Sequence, residues 1–284
     1  MLNLVKMELY RLFHSTSTWI LFFFTIVAVV FTVVMTKIDV SRTEPEIEKE
    51  TEQTEGQEID FAFGFFSETK EEWADGEVRF SELLGSELAS GIFLILVTIF
   101  VSFFVHAEQK NGYLKNIAGQ LPGRWLLALS KLAALLVWGV CMFSLLTVTM
   151  AAAGSVCFGR ALVLDSARKL FAVLGGQFLL HMAFAALLLF LCTLSGSAAL
   201  SITVGLLIAC KVTALLYSLT DRMMKSVFGR ETFDSGRYAI EMNITKYMYA
   251  TEREEIVPML LSAGVILAAA VSLTAVVLQK RDVK

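Results

Sequence analysis

The sequence predicts an all-α membrane protein with six transmembrane helices, and two observations carry this prediction. Of the 284 residues, 56% are hydrophobic, above the roughly 45–50% apolar share of soluble domains, and the mean hydropathy is +0.66. The apolar residues also gather in runs of about 20, the length that crosses a bilayer core of about 30 Å as a helix. The six runs lie at 18–36, 88–105, 132–153, 170–194, 198–219 and 257–279.

The segment 1–17 precedes the first apolar run and is amphipathic. On a helical projection, one face carries apolar side chains: Leu2, Val5, Leu9, Leu12 and Phe13. Cationic side chains lie on another face: Lys6, Arg11 and His14. This pattern is typical of a helix on a membrane surface, so we expect an elbow helix there. The run that follows exceeds the roughly 7–15 apolar residues of a signal peptide and is interpreted as a retained span.

Charge predicts the orientation of the spans. An even number of crossings puts both termini on one side, together with segments 106–131 and 195–197. The four segments on that side hold nine Lys or Arg residues and three acidic residues, whereas the opposite segments hold 14 and 24. Because Lys and Arg favour the cytoplasmic side of membrane proteins, we assign both termini to the cytoplasm.

Two outer segments differ in character. Segment 37–87 holds 16 acidic and five basic residues, which is typical either of a solvated loop or of an anionic collar that attracts cations. Both interpretations stay open. Segment 220–256 mixes apolar and charged residues at close intervals, which predicts re-entrant or amphipathic outer helices between spans five and six.

Polar residues inside the spans are candidates for a substrate path. Lys211 lies 13 residues into the fifth run, and His181 lies in the fourth, one helical turn from Gln177. Ionisable residues at membrane depth are costly and are functional candidates by default. The alternatives are a lysine that reaches out to the interface and a structural, hydrogen-bonded histidine.

Small residues recur one turn apart in two spans, and this spacing lets membrane helices approach closely. The pairs are Gly205 with Ala209 and Gly264 with Ala268. We expect ordinary bundle packing at both pairs.

The sequence lacks several motifs of catalysis and ligand binding. It contains no G-x-x-x-x-G-K-[ST] phosphate loop, no G-x-S-x-G nucleophile turn and no H-E-x-x-H zinc motif, which are the signatures of nucleotide, ester and metal chemistry. The three histidines are scattered, and the four cysteines show no C-x-x-C spacing. We therefore predict no catalytic residue, no metal and no bound cofactor, and we do not expect an enzyme.

Segment 106–131 is the most polar stretch between two spans. It predicts a short helix with one apolar face, made of Leu114, Ile117, Ala118 and Leu121 and ended by Pro122 and Gly123. The segment resembles the first cytoplasmic loop of the ABC-2 type permeases, the membrane subunits of one class of ATP-binding-cassette exporters. The matching residues are Glu108, Gly112, Tyr113, Leu121, Pro122 and Arg124, with Lys131 entering the third span.

The resemblance implies that 1–284 is a single permease domain and that 106–131 is its cytoplasmic coupling loop. It implies that residues 108–124 receive the movement of a separate ATPase subunit, which binds ATP and Mg²⁺. A second permease copy or paralogue and membrane lipids are the other implied partners, and nucleic acid is not one. The implied location is the bacterial cell membrane, with multiple passes and both termini cytoplasmic.

Three functions follow as hypotheses. The first is the permease subunit of an ATP-driven exporter for an amphiphilic substrate, such as an antimicrobial peptide, a drug or a lipid-linked molecule. The second is an ion-coupled secondary transporter or channel that uses His181 and Lys211. The spans lack the internal Gly/Pro breaks typical of such transporters, which argues against this hypothesis. The third is a sensor or scaffold that transports nothing.

Overall fold

The computed structural model describes residues 1–46, 73, 76–110, 123–228, 234–250 and 252–280. These residues are almost entirely helical. The helices are α1 (Leu2–His14), α2 (Thr16–Glu46), α3 (Phe80–Ala89), α4 (Gly91–Lys110), α5 (Trp125–Phe158), α6 (Ala167–Ser195), α7 (Ala198–Ala209), α8 (Thr213–Phe228), α9 (Ile240–Tyr249) and α10 (Arg253–Lys280). Two short strands, β1 (Val78–Arg79) and β2 (Leu162–Val163), pair in parallel, and short 3-10 turns cover Gly159–Ala161 and Ser235–Tyr238.

Within the described residues, five helices are long and apolar enough to cross a membrane: α2, α4, α5, α6 and α10. The bent pair α7 and α8 makes a sixth if it is counted as one crossing. Large apolar side chains cover the outside of these helices; Val148 and Val265 are each 68% exposed. A surface of this kind suits lipid and not water. The prediction of a helical, multi-pass membrane protein is confirmed at this level.

The core lies where α4, α5, α6 and α7 meet. Trp138 of α5 stacks on Phe100 of α4 with ring centroids 3.8 Å apart, and both side chains are buried. At Gly205 of α7, an added Cβ would overlap Thr98 of α4 and lie 2.9 Å from Leu188 of α6. The glycine therefore permits the close approach of three helices. Gly264 of α10 faces open space, with nothing within 4 Å of such a Cβ.

The fifth apolar run, 198–219, is broken, although its apolarity predicts one continuous span. α7 ends at Ala209 and α8 begins at Thr213, and the two axes are bent by 68°. Lys211 takes a left-handed φ of 57° at the break, and the Val212 amide donates to the Leu207 carbonyl at 3.0 Å. A left-handed residue other than glycine costs about 1–2 kcal/mol. The break involves neither glycine nor proline, so no local sequence signal announces it.

The prediction that 37–87 is a loop is wrong at both ends. α2 continues to Glu46, and α3 is a buried helix. Apolar Leu83, Leu84 and Leu88 and small residues between them let α3 pack inside the fold. Its N-terminus is fixed by Asp165, whose Oδ2 accepts a hydrogen bond from the Ser81 amide at 2.8 Å. The acidic stretch 47–72 lies outside the described residues.

Helix α1 has one face buried in the bundle and an apolar surface outside it. The structure buries Leu4, Glu8 and Leu12, whereas Leu2 is 83% exposed and Phe13 is 37% exposed. α1 packs mainly against α5. The inward face includes Glu8, whose carboxylate is paired there, as described below, and Leu2 and Phe13 are left outside.

Helix α9 packs closely against α6 at a glycine. A Cβ at Gly176 would overlap the ring of Tyr247, and the Tyr247 hydroxyl donates to the Ala172 carbonyl at 3.0 Å. The neighbouring Gly175 points the other way, and a Cβ there meets nothing within 4 Å. Two adjacent glycines therefore have opposite surroundings.

We expect Gly176→Ala to lower the free energy of unfolding by about 1–3 kcal/mol, because the methyl group displaces the Tyr247 ring. The matched control, Gly175→Ala, is expected to raise it by up to about 1 kcal/mol through better helix propensity. Thermal unfolding of both variants in detergent micelles tests this. Equal effects of the two substitutions would contradict the close contact.

Candidate functional site

Four charged side chains meet at the end of the bundle where the chain begins. Glu8 and Arg11 come from α1, Glu108 from the last turns of α4, and Lys131 from the second turn of α5. We call them the four-charge cluster. They bring together three helices that are far apart in the sequence, and they lie on both sides of the α4–α5 connection.

Each cation of the four-charge cluster contacts both carboxylates. Arg11 Nη2 lies 2.8 Å from Glu8 Oε2, and Arg11 Nη1 lies 3.3 Å from Glu108 Oε2. Lys131 Nζ lies 3.3 Å from Glu8 Oε1 and also forms an ion pair with Glu108. The two positive and two negative charges cancel, as buried charges require.

The cluster is deeply buried, which makes its pairing decisive for stability. Glu8 is 0% exposed, Glu108 and Lys131 are each 2% exposed, and the Arg11 side chain is 27% exposed. The Arg11 guanidinium also lies 4.3 Å from the centroid of the Phe104 ring. Within the described part of the chain, neither oxygen of Glu108 receives a hydrogen bond of normal geometry. Charge attraction, more than hydrogen-bond alignment, therefore holds Glu108 in place.

A small apolar cluster of Leu4, Leu127, Ala128 and Leu278 packs around the same end of the bundle. It joins α1 and α5 to the end of α10, next to the four-charge cluster. Four helices are thus held together at this end, partly by charge and partly by apolar packing.

The structure gives the predicted coupling residues different positions. Glu108 is inside the four-charge cluster, and Arg124 is a half-buried residue at the N-cap of α5. The other four, Gly112, Tyr113, Leu121 and Pro122, lie outside the described residues. Glu108 is therefore too deeply buried to be a docking residue in this conformation, and the connection 111–122 directly follows its helix.

The candidate path residues Gln177 and His181 are brought together on α6, but neither reaches a surface. Both are 0% exposed. Gln177 Nε2 donates to the Ile244 carbonyl of α9 at 2.9 Å, and His181 Nδ1 lies 2.8 Å from the Gln177 carbonyl. Lys211 lies on a different element, at the α7–α8 break, and is half-buried.

Aromatic rings enclose His181. Its ring makes edge-to-face contacts with Phe93 and Phe143, at centroid distances of 5.1 and 5.4 Å. Nε2 is buried without a hydrogen bond of normal geometry within the described residues, and the backbone of Leu88 is the polar group beside it. These surroundings fit a structural histidine in the observed conformation.

Helix α9 carries further buried polar residues that sequence reasoning did not single out. Glu241 accepts hydrogen bonds from Thr213 Oγ1 and the Tyr217 hydroxyl of α8, both at 2.7 Å. Asn243 Nδ2 donates to Ser262 Oγ of α10 at 3.0 Å. Side chains of α9 thus bind it to α6, α8 and α10. Their signal in the sequence is weak, because the same segment holds many polar residues.

Helix α3 also carries a buried acid, Glu87. It is 1% exposed, and its Oε2 has no hydrogen-bond partner among the described residues. Burial raises the pKa of Glu87 to about 8, while a hydrogen bond from the Thr32 side chain lowers it by less. The carboxyl is therefore protonated in the folded chain at neutral pH.

Glu8, Arg11 and Lys131 of the four-charge cluster were not predicted as site residues, although Lys131 belongs to the pattern that resembles the ABC-2 permeases. A signal for Glu8 exists: it shares the i, i+4, i+8 face of Leu4 and Leu12, where an acid needs a partner. The partner comes from a distant part of the chain, so the pairing itself is not readable from one helix. The described residues contain no group of three or more His, Cys, Asp or Glu side chains arranged to hold a metal.

Comparison of the chain with protein-family models and with curated proteins finds no match.

We expect Lys131→Met to lower the free energy of unfolding by about 3–5 kcal/mol, because it leaves a buried negative charge unpaired. The double variant Lys131→Met with Glu108→Gln removes one charge of each sign and is expected to recover part of this loss. Thermal unfolding in detergent micelles measures both.

The matched control is Lys6→Met, an exposed lysine on α1, with an expected effect within about 0.5 kcal/mol. Additive losses in the double variant would show that Lys131 and Glu108 do not act as a pair.

We also expect the stability of the protein to depend on pH through Glu87. Because the folded pKa of Glu87, about 8, lies above its ordinary value of 4.5, the contribution of Glu87 to stability is greatest below about pH 4.5 and falls as pH rises to about 8. Glu87→Gln removes this dependence. The difference in thermal stability between wild type and variant, measured from pH 5 to 9, tests it.

The exposed Glu77→Gln variant provides the reference for general effects of losing one acid. A constant difference between wild type and Glu87→Gln over this pH range would contradict a protonated Glu87.

Proposed function

We propose that this chain is the permease subunit of an ATP-driven exporter and that a separate ATPase subunit moves it. The ATPase would bind the α4–α5 connection, residues 111–122. The substrate would be amphiphilic: a peptide, a drug or a lipid-linked molecule. The chain would contribute the membrane crossings, and the partner would contribute ATP and Mg²⁺ binding.

The four-charge cluster is the observation that supports this proposal best. It binds the helices on both sides of the connection, α4 and α5, to each other and to α1. A force on residues 111–122 would therefore move three helices together and not bend one alone. Buried ion pairs suit this role because separating their charges is costly, so the helix ends stay joined during a conformational change.

The exposed face of α1 supports a position at the membrane surface. Leu2 is 83% exposed and Tyr10 is 65% exposed, and the same helix carries the exposed Lys6. Apolar and cationic side chains on the outside of one short helix favour the interface of an anionic leaflet. An elbow helix in that position would bring the N-terminus and the connection 111–122 to the same side.

One observation favours the second hypothesis, an ion-coupled transporter. The break at Lys211 leaves α7 as a short helix that is bent by 68° against α8, and broken helices form ion sites in such transporters. Because this span is broken without Gly or Pro, their absence no longer argues against an ion-coupled transporter. Transport that continues without ATP and stops when ionophores collapse the ion gradients would favour this hypothesis over the first.

The first test is photo-crosslinking in the cells that make the chain. A photoreactive amino acid at Tyr113, in the connection, is expected to capture a subunit that contains a phosphate loop and binds ATP. The control position is Tyr249 at the end of α9, which is 47% exposed and lies at a connection on the predicted opposite side. Capture of the same ATPase from both positions, or from neither, would contradict the proposed docking segment.

The second test is the side on which the connection lies. In a variant with the four cysteines replaced, Lys115→Cys is expected to resist a membrane-impermeant maleimide added to intact cells. Arg237→Cys, in the segment between α8 and α9, is expected to react. Labelling of position 115 from outside would exclude a cytoplasmic ATPase as its partner.

A further inference from the structure

A groove on the outside of the bundle runs between α5 and α6. Its volume is about 540 Å³. The walls include Val148, which is 68% exposed, and Phe171, which is 73% exposed. The floor is formed by Phe143 and Phe178, whose rings pack edge to face at 5.3 Å. Gly175 deepens the groove, because a side chain there would point into open space.

A cation lies on the same helix face as the groove. Arg168 precedes Phe171, Gly175 and Phe178 by three, seven and ten residues, a spacing that places all four on one stripe of α6. Arg168 is exposed. The nearby acid, Asp165, is bound to Ser81 and Lys169. Among the described residues Arg168 makes no ion pair, so its charge is available to a ligand at the groove's end.

The length of this stripe matches one leaflet of a membrane. Ten residues of helix between Arg168 and Phe178 correspond to about 15 Å, and half of a bilayer core is also about 15 Å. Arg168, in the first turn of α6, therefore lies at headgroup level when the apolar part of the groove lies among acyl chains. This leaflet is the one on the side of the α5–α6 connection.

The volume of the groove favours a chain-like ligand over a helix of another protein. A helix segment 15 Å long and 10 Å wide occupies on the order of 1,200 Å³, about twice the volume of the groove. Apolar matching alone cannot select a ligand inside a membrane, because bulk lipid is equally apolar. Selection must come from shape and from the charge of Arg168.

We propose that the α5–α6 groove is a binding site for an anionic phospholipid. One acyl chain lies along Phe171, Gly175 and Phe178, and the phosphate pairs with Arg168. The site depends neither on an ATPase nor on transport, so it stands or falls separately from the proposed function.

Native mass spectrometry of the purified full chain in a nonionic detergent tests the site. The probes are phosphatidylglycerol and phosphatidylcholine with identical acyl chains. We expect one phosphatidylglycerol molecule to be retained about fivefold more strongly than phosphatidylcholine, the ratio that one basic side chain near a headgroup supplies. Arg168→Gln is expected to abolish this preference. Its control is Arg253→Gln, an exposed arginine in the first turn of α10, which should change nothing.

The apolar part of the site is tested by filling and by opening the groove. Gly175→Leu is expected to displace both lipids, whereas Gly264→Leu, at a glycine that also faces open space, should displace neither. Phe171→Ala removes an exposed wall without crowding the fold and is expected to weaken retention of both lipids. This variant keeps the test valid if Gly175→Leu unfolds.

Equal retention of the two lipids by the wild type would overturn the proposal. So would equal losses in Arg168→Gln and Arg253→Gln, which would indicate a diffuse basic surface. Unchanged retention in both Gly175→Leu and Phe171→Ala would place the lipid elsewhere.

Discussion

The requirement that buried charges be paired determines how one end of this protein is assembled. Lys131 enters α5 in an environment with almost no exposure to solvent, and it is stable there because two carboxylates reach it. One carboxylate comes from α4 and the other from α1. Arg11 then balances the second negative charge. The N-terminal helix is thus held by the bundle through a face that combines the paired Glu8 with Leu4 and Leu12.

This constraint accounts for the presence of an acid on the buried face of α1, between Leu4 and Leu12. Leu2 and Phe13 lie outside the bundle, as expected of a helix on a membrane surface. In a membrane, an exposed apolar face has no large cost, whereas an unpaired acid does. The packing of α1 is therefore governed by Glu8, and the usual inside-out reasoning for soluble helices does not apply to this segment.

Much of the fold was predictable, because it depends on the mean apolarity of segments about 20 residues long. Helices α2, α5, α6 and α10 enclose four of the six predicted runs, α4 begins three residues into a fifth, and the run 198–219 is divided between α7 and α8. The existence of these helices needs no knowledge of tertiary contacts. The details that failed depend on contacts between distant segments. α3 is buried because the α5–α6 connection caps it through Asp165, and the break at Lys211 has no glycine or proline to mark it.

In the candidate sites, too, local sequence predicts some features and contacts between distant segments decide the others. The sequence places Gln177 and His181 inside a span and Glu108 in the connection between two spans. Their partners were not evident from it, since the charge that stabilises Glu108 lies partly in α1 and the acceptor of Gln177 lies in α9. The position of a polar group along its helix predicts that the group needs a partner. The identity of that partner depends on which distant helices pack beside it.

The glycine pair at 175 and 176 has a wider consequence for α6. At this level the helix has no side chain toward α9 and none toward the groove, so only its backbone separates Tyr247 on one side from the groove on the other. A molecule bound in the groove is therefore separated from α9 by the diameter of one helix. The lipids that surround α6 therefore lie close to the contact between α6 and α9.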